Sequence, residues 1–356
     1  MTTKKKLVLS DGQEFAGISC GADSPVVGEL VFNTSMVGYQ EIISDPAYAG
    51  QIVVMTYPLM GQYGITDEDF EARSGGISGL VVRELCDTPS NFRYTKTLGE
   101  ELEERGVPCV SGVDTRMITR IIREGRATRA AIVDADMPVE EALAMIASSS
   151  DVRNRVAAVS CSKRWFSRTP HHNYDVVVVD CGLKHSIVSA FNRRGCNVTI
   201  VPYNTSAEDI LAFSPDGVVI SNGPGDPAEL PELVEVIDRL KGAIPIFGIC
   251  LGQELIALSY GASVSRMKCG HHGGHPVRCM GTGRIMAVEH NHDFAVDESS
   301  LACTGLEITY KDVADGTVEG IECKADKVFA VQFYPEGCPG PEVSVLFDRF
   351  VAMMEE

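Results

Sequence analysis

The sequence predicts an α/β protein with a mixed α/β amino-terminal domain followed by an open, mainly parallel-sheet domain. From residue 175 onward, apolar runs alternate with segments of helical periodicity, which is typical of βαβ units with buried parallel strands. Before residue 150, short strand-like runs are separated by loops rich in glycine and proline. We therefore assign residues 1–150 and 174–356 to two domains, joined by a linker at 151–173 that is rich in serine, arginine and histidine.

The elements of the two domains follow from local periodicity. In the first domain, residues 29–32 and 51–55 read as strands, and residues 115–124 and 135–148 read as helices. In the second domain, we predict strands at 176–179, 197–201, 217–220 and 244–247, and helices at 184–194 and 229–240. Ligands bind at the carboxyl ends of such strands, so the loops after residues 220 and 247 are expected to line one pocket.

The composition excludes several classes of partner. The chain has 356 residues, of which 31 are basic and 49 acidic, so its net charge is −18 at pH 7. Nucleic acid and anionic membrane surfaces repel such a protein, and we expect neither as a partner. No apolar run has the length of a membrane helix and the first residues lack a signal-peptide core, which favours a cytoplasmic location.

The cysteines do not suggest a disulfide framework. The chain has 12 of them, often within apolar runs, and no C-x-x-C pair occurs, so most are expected to be small buried residues. The segment from Cys269 through His271, His272 and His275 to Cys279 has residue types that bind zinc, but its spacing fits none of the usual paired arrangements. We therefore expect no metal ion and no cofactor in this chain.

The most informative motif is G-x-C-x-G at residues 248–252, directly after a short apolar run. Glycines on both sides of Cys250 allow the sharp strand-to-helix turn of a nucleophile elbow. Residues 251–260 are apolar at helical spacing, so the sulfur is expected at a helix N-terminus, where the dipole favours thiolate. Cys250 is therefore the candidate nucleophile.

A second motif, Ser-Asn-Gly-Pro-Gly-Asp-Pro, occupies residues 221–227. Its backbone amides, together with that of Leu251, are suited to stabilising an oxyanion beside Cys250. Taken alone, the loop is equally consistent with a tight turn. Its expected place beside the elbow favours the functional interpretation.

These two motifs, together with Val-Gln-Phe-Tyr-Pro-Glu at residues 331–336, resemble the three signatures of class I, triad-type glutamine amidotransferases. The amino-terminal half is similar to the small subunit of carbamoyl-phosphate synthase at residues 31–42, 45–46, 56–58, 90–93 and 112–116. The resemblance extends from Leu7 to about Val351, which is nearly the whole chain. It implies that the second domain is a class I glutamine amidotransferase domain.

The resemblance also implies an activity and a partner. In this family, the small subunit hydrolyses glutamine through a cysteinyl thioester, and ammonia passes through an internal tunnel to a large subunit. There it reacts with bicarbonate and ATP to give carbamoyl phosphate for pyrimidine and arginine synthesis. We therefore expect a heterodimeric ligase complex with glutamine as substrate, and with ATP and Mg²⁺ bound on the large subunit rather than on this chain.

Site residues follow by position from the same resemblance. Cys250 is the nucleophile, Glu336 orients the base, and Tyr334 stands in the place of the base itself. Gly223 and Leu251 supply oxyanion amides, and Gly225 lies against the substrate. The full set of substrate-binding positions is Ala47, Gly223, Gly225, Leu251, Glu254, Asn291, Asp293 and Phe294.

The family pattern is broken at 4 of these positions, Ala47, Glu254, Asp293 and Tyr334. Tyr334 replaces a histidine, and a phenol with a pKa of about 10 is a poor acceptor of the thiol proton at neutral pH. Losing a general acid/base typically costs about 10² to 10⁴ in rate. Glu254 replaces a glutamine, and its carboxylate has no hydrogen-bond donor at neutral pH. Asp293 puts a charged side chain in place of a glycine, and Ala47 removes a serine hydroxyl. This cluster argues for a weakened or lost glutaminase.

A nearby replacement for the base is not evident, because all 8 histidines lie at or before His292. His290 and His292 come from a segment that the resemblance places by the pocket, where the family has Gln-Asn-His-Gly-Phe, and rescue by either is a hypothesis. The family's histidine-rich loop, here at residues 270–276, is one residue short.

Three functions stay open on the sequence alone: a glutaminase subunit, a catalytically degenerate scaffold in an ammonia-dependent complex, and an unrelated cysteine hydrolase. In the third, Glu254 and Asp293 would suit a cationic substrate, but the amino-terminal resemblance argues against it. The resemblance further predicts that residues 33–42 and 114–120 contact the large subunit.

Overall fold

The computed structural model of the chain describes residues 4–72, 75–149, 154–337 and 343–355. It has two compact units, Met1–Val152 and Arg153–Glu356. The strands of the first unit are β1 (Lys4–Leu9), β2 (Glu14–Ser19), β3 (Val26–Asn33), β4 (Gln51–Met55), β5 (Leu59–Met60), β6 (Gly79–Val81), β7 (Glu84–Leu85), β8 (Cys109–Ser111) and β9 (Arg129–Asp134). Its α-helices are α1 (Tyr39–Ser44), α2 (Leu98–Glu104), α3 (Thr115–Arg123) and α4 (Val139–Ser148).

A closed barrel forms the centre of the first unit, with the described strands in the order β1-β2-β8-β6-β4-β3-β9. Strands β3, β4, β6 and β8 pair in parallel, whereas β1, β2 and β9 pair in antiparallel fashion. Closure removes free sheet edges, and β4 is buried along its whole length. The predicted mixed α/β character is confirmed, although α4 begins four residues later than predicted, because Pro138 immediately precedes it in an extended conformation.

Contrary to the expectation from the sequence, the cysteines include one disulfide. Cys20 and Cys109 form a disulfide across the barrel wall, 89 residues apart in the chain. Cys20 follows β2, which pairs with β8, and the Cys20 amide donates to the Cys109 carbonyl at 3.1 Å. The sequence did not reveal this pair because barrel closure, not local spacing, brings the two residues together.

The second unit is built on one large sheet. Its strands are β10 (Trp165–Ser167), β11 (Tyr174–Asp180), β12 (Cys196–Pro202), β13 (Gly217–Ile220), β14 (Ile246–Ile249), β15 (Val264–Cys279), β16 (Ile285–Val296), β17 (Glu307–Asp312), β18 (Val318–Cys323) and β19 (Val328–Val331). Its α-helices are α5 (Arg155–Val159), α6 (His185–Asn192), α7 (Ala207–Leu211), α8 (Pro231–Leu240), α9 (Leu251–Ser259) and α10 (Ser344–Glu355). Across the described ranges, no helix is both long and apolar enough to cross a membrane.

Parallel strands form the middle of this sheet, in the order β12-β11-β13-β14-β19. Strands β13, β14 and β19 are buried at every position, as predicted for strands covered on both faces. β14 begins at Ile246 rather than at residue 244, because Pro245 lacks the amide hydrogen that a central strand needs. The open sheet with a parallel centre agrees with the prediction, but antiparallel strands make up the rest of it.

An antiparallel extension, which the sequence did not predict, continues the sheet from β19 through β18, β16, β15 and β17. The histidine-rich residues 270–276 lie inside β15 and are therefore a strand, not the loop expected from the resemblance. A register shift between Arg266 and His271 interrupts the pairing of β15 with β16. This extension carries several of the candidate site residues.

The segment interpreted as a linker, residues 151–173, differs from that interpretation where it is described. It contains α5, and β10 within it pairs with β12 as the antiparallel edge of the sheet. The Cys161 amide also donates to Asp180 Oδ2 at 2.8 Å. Because these residues are hydrogen-bonded to the sheet, their polar composition reflects an exposed edge rather than a free connection.

Candidate active site

The elbow around Cys250 joins β14 to α9. Cys250 is the residue between them, with φ 54° and ψ −110°, a conformation that is costly for a residue other than glycine. A Cβ atom at Gly252 would lie 2.2 Å from the Ile220 carbonyl oxygen, and one at Gly248 would lie 2.8 Å from the Gly252 backbone. The glycines are therefore required by close packing, and the sulfur is held at the N-terminus of α9.

Cys250 is buried, with 2% of its surface exposed. Its Sγ donates to the Asn291 carbonyl oxygen at 3.5 Å, and Gln332 Nε2 lies 4.0 Å from the sulfur. Its amide donates to the Val331 carbonyl at 2.8 Å, which ties the elbow to β19. The contact with Asn291 is made by the thiol form, so formation of the thiolate requires that this proton leave.

The loop at residues 221–227 lies at the carboxyl end of β13, next to the elbow, because Ile220 pairs with Gly248. Gly223 packs on the preceding βα turn, where an added Cβ would lie 2.2 Å from the Cys181 carbonyl oxygen. Gly225 has φ +99°, a conformation that side chains rarely adopt. The structure thus brings the loop and the elbow to one sheet edge, as expected.

Tyr334 and Glu336 follow β19 and are both buried. The Tyr334 amide donates to the Glu289 carbonyl at 2.9 Å, so the strand-like segment is fixed against β16. Lys184 Nζ lies 2.8 Å from Glu336 Oε1 and 4.2 Å from the centre of the Tyr334 ring. Glu336, the expected orienting carboxylate, therefore forms an ion pair with Lys184.

Sequence reasoning missed Lys184. The signal was available, since this lysine stands in the short turn directly after β11, at the sheet edge where the site was expected. Its side chain is 1% exposed, and lysine is almost never fully buried without a partner. Its pairing with Glu336 makes it part of the candidate site.

Glu254 lies in the first turn of α9 and is buried. Gln332 Nε2 donates to Glu254 Oε1 at 2.8 Å, and Gln253 Nε2 donates to Gln332 Oε1 at 3.0 Å. Burial raises the pKa of Glu254 well above its usual range, against a smaller opposing effect of the Gln332 hydrogen bond. This favours the neutral carboxyl, which has an O–H donor, whereas the effect of Glu254 on the substrate stays a prediction.

Asn291, Asp293 and Phe294 lie on β16. His272 Nε2 is 3.2 Å from Asp293 Oδ1, and His272 Nδ1 is 2.9 Å from Asn291 Oδ1. Burial acts to raise the pKa of Asp293, but the charge and hydrogen bond of His272 outweigh it and hold the pKa below its usual range. An added Cβ at Gly270 would lie 2.3 Å from Asp293 Oδ1. The aspartate thus fills the space above Gly270 and pairs with His272.

The geometry gives no support to a histidine that replaces Tyr334. His292 Nδ1 donates to the Phe294 carbonyl at 2.8 Å, and its Nε2 lies 3.3 Å from His290 Nδ1. Burial lowers the pKa of His292 to about 3.

Ala47 belongs to the first unit. It is buried in the short turn Pro46–Tyr48, where its amide donates to Asp45 Oδ1 at 2.9 Å. Its assignment to the substrate pocket stays a prediction.

A cysteine on a strand-to-helix elbow, beside a glycine-rich loop at the carboxyl ends of parallel strands, is the arrangement of a nucleophilic cysteine enzyme of the α/β class. Residues 177–353 match the family model described as glutamine amidotransferase class-I, and residues 7–132 match that of the carbamoyl-phosphate synthase small chain, CPSase domain. The chain belongs to the carbamoyl-phosphate synthase small-chain family, whose members are the glutamine-hydrolysing subunits of that ligase.

Individual relatives are similar over almost the full length. The carbamoyl phosphate synthase small chain of Staphylococcus saprophyticus is 49% identical over 358 aligned residues, covering 100% of this chain and 97% of the relative. The pyrimidine-specific small chain of Halalkalibacterium halodurans is 46% identical, covering 99% and 97%. That of Bacillus subtilis is 44% identical, covering 99% and 96%. Family membership excludes the unrelated cysteine hydrolase considered above.

Proposed function

We propose that this chain hydrolyses glutamine at Cys250 and supplies the ammonia to a large, ATP-using subunit, at a rate reduced by Tyr334. The observation that carries the proposal is the conformation of Cys250, with positive φ between β14 and α9. Backbone strain of this kind is retained where it positions a reacting group. A cysteine kept only for packing would not need this conformation.

The chemistry proceeds in two steps. Cys250 Sγ attacks the carboxamide carbon of glutamine, and the C–N bond then breaks as the leaving nitrogen takes up a proton and departs as ammonia. Water next attacks the thioester carbon, which releases glutamate and returns the thiol. We assign the oxyanion amides to Leu251 and Gly223, and substrate contacts to Gly225, Glu254, Asn291, Asp293 and Phe294.

This site lacks the usual histidine for proton transfer. In a triad, a histidine takes the thiol proton and returns it to the leaving group. Here Tyr334 stands in that place, and Glu336 is paired with Lys184 at 2.8 Å. Glutamine hydrolysis is therefore expected to be slow rather than absent, because the nucleophile and its elbow are intact.

The remaining assignments rest on family membership. We propose a heterodimer with the carbamoyl-phosphate synthase large subunit, in which ATP and Mg²⁺ bind to that partner. The product is carbamoyl phosphate for pyrimidine or arginine synthesis, and the names of two relatives mention pyrimidine specificity. A cytoplasmic location is consistent with this metabolic role.

The test is glutamate release from glutamine by this chain bound to its large subunit. We expect slow turnover in the wild-type complex and its loss in Cys250→Ala, because the thioester then has no sulfur. Ammonia-dependent carbamoyl phosphate synthesis in the same Cys250→Ala complex serves as the control and should be unchanged. Glutamate release that survives Cys250→Ala would contradict the assignment of the nucleophile.

A second candidate function is a scaffold subunit of an ammonia-dependent complex. The buried Lys184–Glu336 pair favours it, because that carboxylate is already engaged by a cation. The same assay separates the two functions. A wild-type complex that releases no glutamate above the Cys250→Ala level, yet uses ammonia normally, would establish the scaffold.

The proposed contact with the large subunit predicts an effect of charge reversal on α3. This helix exposes Arg116 and Arg120, with Met117 47% exposed between them. Met36 and Val37, in the second predicted contact segment, are 66% and 61% exposed. We expect Arg116→Glu combined with Arg120→Glu to weaken assembly by about 100-fold, since a like-charge juxtaposition costs several kcal/mol.

Affinity between purified subunits, measured by titration calorimetry, checks this prediction. Arg239→Glu on α8 is the matched control, because that side chain is 61% exposed and lies outside both contact segments. Equal affinities for the α3 double variant and the wild type would contradict the contact.

A further inference from the structure

A cluster of three histidines and one glutamate lies inside the antiparallel extension of the second sheet. His271 on β15, His290 and His292 on β16, and Glu319 on β18 are between 0% and 5% exposed. One ligand atom from each residue lies within 4.8 Å of the others. Buried imidazoles and carboxylates are costly unless they are hydrogen-bonded or coordinate a metal.

Four of the distances among these atoms are close to those between the ligands of a tetrahedral metal site. His271 Nδ1 is 3.1 Å from Glu319 Oε1, and His290 Nδ1 is 3.3 Å from His292 Nε2. Glu319 Oε2 lies 3.4 Å from His290 Nδ1, and Glu319 Oε1 lies 3.7 Å from His292 Nε2. Ligand atoms about 2.0–2.1 Å from a tetrahedral zinc ion are separated from one another by about 3.3 Å.

The outer ring nitrogens of His292 and His271 are held as they are in metal-bound histidines, whereas His290 Nε2 is buried without a hydrogen-bond partner among the described residues. His292 Nδ1 donates to the Phe294 carbonyl at 2.8 Å, which leaves the Nε2 lone pair directed into the cluster. His271 Nε2 lies 2.9 Å from Asp315 Oδ2, and donation there leaves the Nδ1 lone pair directed at Glu319. Backbone carbonyls and carboxylates are the usual second partners of metal-ligating imidazoles. With these tautomers, the lone pairs of His271 Nδ1 and His292 Nε2 point into the cluster beside the Glu319 carboxylate, an arrangement that a bound cation would stabilise.

We propose that His271, His290, His292 and Glu319 bind a divalent transition metal, with Zn²⁺ as the preferred ion. Imidazole nitrogens with one carboxylate oxygen are suited to zinc. Four protein ligands leave no open position, so the role is structural rather than catalytic. This proposal replaces the expectation of a chain without metal, and it uses neither Cys269 nor Cys279.

His290 completes the ligand set of this cluster. The resemblance described above implies glutamine at this position in the family, so the fourth ligand is expected to be particular to this chain. The metal-free alternative is a protonated His271 held between Glu319 and Asp315. The zinc-bound state requires His290 as a ligand. The metal-free state, in which His271 is protonated, does not.

A metal at this site would also restrict the movement of β16, the strand that contacts Cys250. Asn291, whose carbonyl accepts from Cys250 Sγ at 3.5 Å, lies between His290 and His292 on β16. A metal that joins β15, β16 and β18 therefore limits the movement of this carbonyl. The zinc proposal itself does not rest on glutamine hydrolysis, because metal content is measured without substrate.

Zinc binding by the untagged full-length chain tests the proposal. After chelator treatment, Zn²⁺ affinity is measured by competition with a chromophoric chelator for the wild type, His290→Gln, His275→Gln and the exposed-site control His172→Gln. We expect a single tight zinc ion in the wild type and in His172→Gln, and binding at least ~100-fold weaker in His290→Gln. The resemblance implies glutamine at this position in the family, so the His290→Gln variant is expected to fold.

Two results would overturn the proposal. Zinc binding by the wild type that is no tighter than by His290→Gln would identify a protonated hydrogen-bond network. Loss of zinc in His275→Gln alone would move the ion to His271, His275 and Asp312, a second group of possible ligands. Cobalt(II) added to the metal-free wild type gives an independent readout, since an intense tetrahedral visible spectrum is expected and its absence would also refute the site.

Discussion

Replacing Tyr334 with histidine is expected to raise glutamine hydrolysis in the assembled enzyme by about 10² to 10⁴, the usual contribution of a general acid/base. An imidazole with an ordinary pKa of about 6.5 accepts the thiol proton near neutral pH, whereas a phenol with a pKa of about 10 does not. The elbow at Cys250 needs no further change. The gain should appear in kcat for glutamate release, with the ammonia-dependent reaction unchanged.

Tyr334→Phe is the matched control, because it keeps the ring and removes only the hydroxyl. No gain is expected from it, since phenylalanine cannot carry a proton. An equal gain in the Phe and His variants would attribute the effect to relief of crowding and refute the acid/base explanation. Failure of Tyr334→His with a correctly folded complex would locate the defect elsewhere, at Glu254, Asp293 or the Lys184–Glu336 pair.

The nucleophile and its loop were predictable because their signals are local. Glycines at 248 and 252 are required by contacts with residues a few positions away or on the adjacent strand, and the apolar runs of β13 and β14 are continuous. Parallel strands then place both loops at one edge by topology alone. These steps need no knowledge of distant pairings.

The features that the sequence did not reveal depend on long-range pairing. Lys184 and Glu336 are 152 residues apart. The position of Lys184 after β11 indicates that it lies near the site, but nothing local indicates that it pairs with Glu336. His271 and Glu319 are 48 residues apart and converge only because β15, β16 and β18 form an antiparallel extension. Local spacing around Cys269 therefore pointed to zinc-binding residue types but could not indicate that His271 and Glu319 converge.

The structure changes the expected electrostatic effect of two substitutions at the pocket. Read from the sequence, Glu254 and Asp293 are two negative charges in a glutamine site. In the structure, burial favours the neutral form of Glu254 by raising its pKa, while Asp293 is compensated by His272 at 3.2 Å. The electrostatic penalty is therefore smaller than the sequence suggests, and Tyr334 is the more severe of these departures.

The buried ion pair of Lys184 and Glu336 predicts the largest stability effect in the molecule. Their charged side chains are 1% and 0% exposed and lie 2.8 Å apart. Removing one partner of such a pair leaves an uncompensated buried charge, so we expect Lys184→Met to lower the free energy of unfolding of the second unit by about 3–5 kcal/mol. Urea unfolding of the full chain, followed by circular dichroism, measures the change.

Two further variants separate this electrostatic cause from simple loss of packing. In the double variant Lys184→Met with Glu336→Leu, no buried charge remains, and most of the lost stability should return, because apolar replacements of buried pairs are often neutral. Lys324→Met breaks the surface pair with Glu307, whose side chains are 69% and 68% exposed, and should leave the unfolding midpoint unchanged. Two results would contradict this explanation. One is a change in the free energy of unfolding for Lys184→Met as small as that for Lys324→Met. The other is a double variant that is no more stable than Lys184→Met.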